Sequence, residues 1–142
     1  MPLQGKCLCE KIAVTVADES LPLQFASCYC KNCSTTAGSP FSMVAYVDKA
    51  HLKIEGQPKI YSDSKTDSGG SVYRHFCGDC GTPVQTLAPA IPDKAVVKVG
   101  LFSDSLGDIN KPAVELFTVN RQRFPWLESI EGVPQCERNP PS

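Results

Sequence analysis

Phe76-Cys77-Gly78-Asp79-Cys80-Gly81 sets two thiols three residues apart in a stretch that glycine lets turn sharply. Such a turn can aim its backbone N–H groups and both sulfurs at one point, as a zinc knuckle requires. Two sulfurs are half of a tetrahedral site, so the rest of the chain must supply the other half. The complement stands near the start, in Gly5-Lys6-Cys7-Leu8-Cys9. Side chains at i and i+2 of a strand point to the same side, so Cys7 and Cys9 can meet one metal. A four-sulfur structural zinc on Cys7, Cys9, Cys77 and Cys80 would tie two distant stretches together and organise the fold around itself.

A third cluster lies between them: Cys28-Tyr29-Cys30-Lys31-Asn32-Cys33. It brings three sulfurs within six residues and has no fourth ligand beside it. Structural zinc sites are closed by four protein ligands, whereas catalytic ones keep a position open. Three thiolates make an electron-rich zinc, a poor Lewis acid for water but a good acceptor of one more soft thiolate. That chemistry points to a sulfur-bearing substrate or cosubstrate. The alternative is that Cys136 folds back as a fourth ligand; alone in a proline-flanked tail, it reads better as a free thiol. Disulfides fit the pattern poorly, because cysteines so close in sequence pair only under strain. A thioredoxin-like role for Cys77 and Cys80 would need a βαβ setting that the pattern lacks.

The chain has 142 residues with 42% hydrophobic content, which suits one domain, expected over residues 3–135 with a loosely held tail at 136–142. A net charge of −1 offers no basic footprint for nucleic acid and no polybasic patch for a membrane. The longest apolar run is Met43–Val47, too short for a transmembrane helix, and Met1–Lys6 carries no apolar leader. The expectation is a soluble, cytoplasmic protein whose thiols stay reduced, where clustered cysteine means metal or catalysis.

Short strands broken by turns make up the rest. Ile12, Val14 and Val16 alternate with Ala13 and Thr15, and Phe41–Val47 is rich in β-formers. Leu52–Glu55 and Lys59–Ser62 flank a Gly56-Gln57-Pro58 turn, and Ser71–Phe76, Pro83–Leu87, Ala95–Leu101 and Ala113–Val119 follow. Twelve prolines leave little room for long helices, so the fold class is all-β. The polar segment Ser62–Ser71 reads as a mobile hairpin connection, placed where a lid would be useful.

Gly5-Lys6-Cys7-Leu8-Cys9, Cys28-Tyr29-Cys30-Lys31-Asn32-Cys33 with Gly38-Ser39-Pro40-Phe41, and Phe76–Gly81 resemble the glutathione-dependent formaldehyde-activating (GFA) family, which includes centromere protein V. The closing stretch, Arg123–Leu127 through Gly132–Gln135, is also similar, so the resemblance spans Leu3 to Gln135. It implies a β-tent fold of short antiparallel strands, with a structural Zn²⁺ on Cys7, Cys9, Cys77 and Cys80. It implies a second, catalytic Zn²⁺ on Cys28, Cys30 and Cys33, with glutathione as cosubstrate. The family's founding reaction joins glutathione and formaldehyde, a carbon–sulfur lyase step read in reverse. Two departures stand out: Tyr29 where many members have His, and Val114-Glu115-Leu116-Phe117 where many carry another His. The expected function is therefore a carbon–sulfur lyase, or a thiol-adduct forming and cleaving enzyme, for a glutathione conjugate or other small sulfur metabolite. The alternative is a non-enzymatic zinc-stabilised binding module like centromere protein V.

Glutathione carries two carboxylates, so cations belong near its site. Lys31, between the cysteines, is the cation proposed to bind it; Arg121 and Arg123 are weaker candidates. Of the two histidines, His75 could support the Cys77 knuckle but reads better as a half-exposed strand residue, and His51 as surface.

Overall fold

The computed structural model describes residues 1–67 and 69–139. Its strands are β1 (Leu3–Lys6), β2 (Ala13–Val16), β3 (Phe25–Cys28), β4 (Ser42–Asp48), β5 (Leu52–Glu55), β6 (Lys59–Asp63), β7 (Val72–Phe76), β8 (Pro83–Leu87), β9 (Lys94–Lys98) and β10 (Val114–Leu116). One α-helix is found among the described residues, α1 (Lys31–Ala37). The protein is mostly β-sheet, as expected. Ala95–Leu101 and Ala113–Val119 hold shorter strands than anticipated, since each chain curls into a 3₁₀ turn, Val99–Phe102 and Thr118–Arg123.

Two sheets form, of order β1-β2-β5 and β10-β3-β4-β9-β8-β7-β6. Every pairing is antiparallel except β10 with β3, which is parallel. The arrangement is thus mostly antiparallel, as expected; the parallel pair arises because a long excursion returns the chain beside β3 in the same direction. Ile12 and the alternating Val14 and Val16 pack with Phe25, Ala45, Val47, Val84, Ala95, Val97 and Phe102 in the main core between the sheets. A second core of Ala26, Cys28, Tyr29, Cys30, Val44, Leu116 and Phe117 lies on the other face of the larger sheet. On β4, Val44 joins the second core while its neighbours Ala45 and Val47 join the first, the period-two alternation of a strand buried on both faces.

α1 is built into the middle cysteine cluster. The Cys30 sulfur caps it, accepting from the Cys33 N–H at 3.2 Å, and Gly38 ends it in the left-handed conformation at φ 62°. The 62–71 segment, expected to be mobile, is tied down along its first half. Asp63 accepts from Arg74 Nε at 2.8 Å and Asn32 Nδ2 at 2.9 Å. Asp67 accepts from the Lys31 N–H at 2.7 Å and Asn120 Nδ2 at 3.2 Å. The physical reason is that these carboxylates find donors at the start of α1, on β7 and at Asn120; Ser68 lies outside the described residues.

The chain end also meets partners. Cys136 N–H donates to Glu115 O at 2.8 Å and Phe117 N–H to Arg138 O at 3.2 Å, so residues 136–138 run beside β10. The last three residues of the expected tail, 140–142, lie outside the described residues.

Candidate metal centre

Two turns of the same design face each other across the sheets. Cys7 N–H donates to Ile12 O at 3.0 Å and Cys77 N–H to Thr82 O at 2.9 Å, so each cysteine opens a turn closed five residues later. In the second, Gly81 adopts φ 77°, which bends the backbone toward Cys77. Cys7, Cys9, Cys77 and Cys80 place their sulfurs within 4.8 Å of one another. The Cys7–Cys9 and Cys9–Cys77 sulfurs are each 3.6 Å apart. Sulfurs bound at about 2.3 Å to one tetrahedral centre lie roughly 3.8 Å from each other, whereas a disulfide needs about 2.05 Å. The spacing thus fits a metal and not a bridge. Donors surround the set: Ile12 N–H reaches Cys7 Sγ at 3.3 Å, and the Thr82 hydroxyl lies 3.2 Å from Cys80 Sγ. Thr82 holds the Cys80 thiol down, to about 5, which favours the thiolate that a metal needs.

Cys28, Cys30 and Cys33 form the second group, also within 4.8 Å of one another. Cys28 ends β3, Cys30 caps α1 and Cys33 lies in its first turn, so a strand end and a helix start converge. Hydrogen bonds with Cys28 and Cys30 hold the Cys33 thiol low, and Lys98 and Arg74 push the same way. Hydrogen bonds with Cys30 and Cys33, followed by burial, push the Cys28 thiol up. Cys136 is not in the group.

Tyr29, between two of these cysteines, is itself fixed. Its hydroxyl donates to Glu115 Oε1 at 3.2 Å, and the Arg121 guanidinium lies 5.3 Å from its ring centroid. Glu115, 1% exposed, also accepts from Arg121 Nη1 at 2.9 Å, Gln135 Nε2 at 2.7 Å and Ile130 N–H at 3.3 Å. The two departures from the family pattern noted in the sequence therefore meet in one buried network. Arg121 is spent in that network and Arg123 lies over the Phe124 ring at 5.8 Å, so neither stands free beside the sulfurs.

The larger sheet carries a groove of about 340 Å³, lined among others by Thr36, Tyr61, Arg74, Pro83, Gln85 and Lys98. A shallower hollow shares Thr36, Tyr61 and Arg74 and extends past Lys31 and Lys65. Lys31 is exposed on that rim, close to the place the sequence assigned it. His75 bonds no cysteine; its Nδ1 lies 3.4 Å from Gln85 Nε2, and burial lowers its pKa. His51 is partly buried, with Nδ1 2.8 Å from Ser20 Oγ. Tyr46 is half exposed; partial loss of water around it, followed by the three sulfurs, raises its pKa.

Sequence reasoning missed Arg74, Lys98, Tyr46, Asp63 and Glu115. One signal was available: in Ala95-Val96-Val97-Lys98-Val99, a lone lysine stands in an apolar strand, where it must face something polar.

Fold and cysteines define a mostly-β domain with two sulfur groups that could each hold a metal ion. The profile of the family described as Glutathione-dependent formaldehyde-activating enzyme matches residues 2–120. The chain belongs to the GFA family. A search of curated proteins finds no match. Among solved structures it is similar to a Rhodobacter sphaeroides protein at TM-score 0.55 and 17% identity, over 94% of this chain and 99% of that one, a likeness of fold. Among the described residues, no helix is long and apolar enough to cross a membrane.

Proposed function

We propose that this protein is a zinc-dependent carbon–sulfur lyase, or an enzyme that forms and cleaves thiol adducts, acting on a glutathione conjugate or another small sulfur-containing metabolite. The observation that carries this reading is the convergence of Cys28, Cys30 and Cys33 into a group of three sulfurs, with Cys136 outside it. Cys7, Cys9, Cys77 and Cys80 would hold a structural Zn²⁺, and Cys28, Cys30 and Cys33 a second one. When bound there, Zn²⁺ would supply a soft acceptor that keeps a substrate sulfur as thiolate at neutral pH.

The chain's own side chains do the rest. Tyr29, locked to Glu115, fixes the loop carrying Cys28 and Cys30. Asp67 holds the Lys31 backbone N–H, and Lys31 lines the shallow hollow, where its ammonium would meet a carboxylate of glutathione. Tyr46, which alternates with Val44 along β4, offers its hydroxyl as a donor on the face that carries the cysteines.

Cys30→Ser tests the reading. Zinc content should fall from about two per chain toward one, with the fold retained and lyase activity lost. Cys136→Ser should leave zinc content unchanged. A Cys30→Ser protein that keeps both zincs would sink the assignment, and a wild-type second group that takes no metal would favour a non-enzymatic binding module.

A further inference from the structure

All eight cysteines lie among the described residues, and Cys9 alone is exposed. Cys7 and Cys77, whose sulfurs each lie 3.6 Å from that of Cys9, are buried, and Cys80 is partly covered. Leu8 and Glu10, on either side of Cys9, are exposed as well. The group that would hold the structural metal is thus the one open to small solutes. In the second group Cys28 and Cys30 are buried and Cys33 is partly so.

A cysteine bound to a metal is held as thiolate, the form that oxidants attack. Cysteines that respond to oxidants combine thiolate character, access and a second cysteine close enough to resolve a sulfenic acid. Cys9 has two such neighbours. Cys7 is two residues away, where a bridge forms only under strain. Cys77 is 68 residues away, on the turn of the other sheet, and its sulfur need only close from 3.6 Å to about 2.05 Å. Contacts that need no metal hold the two turns side by side. Leu8 N–H donates to the Thr82 hydroxyl at 3.2 Å, and the Lys11 ammonium meets Asp79 at 2.9 Å.

We infer that Cys9 is an oxidation site, and that peroxide converts the four-cysteine metal group into a Cys9–Cys77 disulfide with release of the metal. The Cys9 thiolate attacks one peroxide oxygen; the O–O bond breaks, hydroxide leaves and a sulfenic acid remains. The Cys77 thiolate then attacks that sulfur, the S–S bond forms and a second hydroxide leaves. The two thiolates lose two electrons and the peroxide gains them. With two of its four thiolates gone the metal departs, and Cys7 and Cys80 take protons from water. The new bond joins the same two turns as the metal did, and a link that closes a long loop restrains the unfolded chain strongly. Oxidation therefore frees zinc without parting the sheets, and a dithiol reductant restores the metal-binding form. The inference rests on the metal reading of the four-cysteine group and is independent of what the second group binds.

The test adds one equivalent of hydrogen peroxide to the zinc-loaded full chain and to its Cys30→Ser variant, which should carry a single zinc. A chelating dye reads released zinc, peptide mass mapping reads bridges and circular dichroism reads the fold. The variant should release about one zinc per chain, with Cys9 joined to Cys77 and the β-sheet spectrum kept. Dithiothreitol and then zinc should reverse the change. Mapping of wild type carries the test even where the variant fails to fold: Cys9 should be oxidised roughly tenfold faster than Cys28 or Cys30. Zinc that stays bound, oxidation that starts at the second group or at Cys136, a bridge from Cys9 to Cys7 or Cys80, or loss of the β-sheet spectrum overturns the inference alone. A folded Cys30→Ser chain that takes no zinc before peroxide is added overturns it together with the metal reading.

Discussion

Glu10 and Phe117 are the non-glycine residues with positive φ among those described, at 65° and 55°. A left-handed conformation costs an ordinary residue about 1–2 kcal/mol. At Glu10 the cost is accepted to close the first cysteine turn, where its N–H donates to Cys7 O at 3.0 Å. Its side chain does little else: the pair with Lys6 at 2.9 Å is exposed, and such pairs contribute under about 1 kcal/mol. Glu10→Gly should therefore stabilise the protein by about 0.5–1 kcal/mol, seen as a higher denaturation midpoint at unchanged slope. An unchanged or lower midpoint would mean that the turn draws more from Glu10 than its backbone. Phe117 offers no such gain, because its ring is buried in the second core and its removal would leave a cavity.

The junction of the β6–β7 connection with α1 is held by Asp63. Burial alone would raise its pKa, but Arg74, the Lys65 N–H and Asn32 overcome that and hold the carboxyl below the usual range. A carboxylate with a depressed folded-state pKa contributes stability above its ordinary pKa of about 4, lost as pH falls toward the folded value. Asp63→Asn should cost about 2–3 kcal/mol at neutral pH, since Arg74 loses its partner in a largely buried place. The variant should lose less stability than wild type on acidification through pH of about 4; equal losses would remove Asp63 from the account. This junction was hidden in the sequence, where 62–71 is only polar and glycine-rich. β3 was hidden for a different reason: Phe25–Cys28 is buried on both faces and shows no alternation. α1 is seven residues long, and its cap is a cysteine, which no usual capping pattern anticipates.

Across the whole molecule, the four-cysteine group joins the β1–β2 turn of the small sheet to the β7–β8 turn of the large one, helped by Lys11 and Asp79 at 2.9 Å. Zinc in such a site contributes about 10–16 kcal/mol in small peptides, comparable to the net stability of a domain. Cys77→Ser should therefore yield insoluble or unfolded protein, checked by circular dichroism and solubility. A cooperative transition at the wild-type temperature would show that the sheets do not depend on a metal at the four cysteines. Both cysteine groups could be read from the sequence, because ligand spacing is local and thiols are chemically distinctive. The cations around the second group could not, since they reach it from β7 and β9 only through strand register.

The parallel pairing of β10 with β3 sets an order in time on the ribosome. Cys28, Cys30 and Cys33 are made early, but the wall behind them needs Leu116 and Phe117, and Tyr29 is anchored only when Glu115 and Gln135 have been added. The four-cysteine group has all its sulfurs once Cys80 is synthesised. At about 5–20 residues per second, several seconds of synthesis separate those two moments. The nascent chain can secure its scaffold first, and the three sulfurs of the second group acquire their fixed positions last.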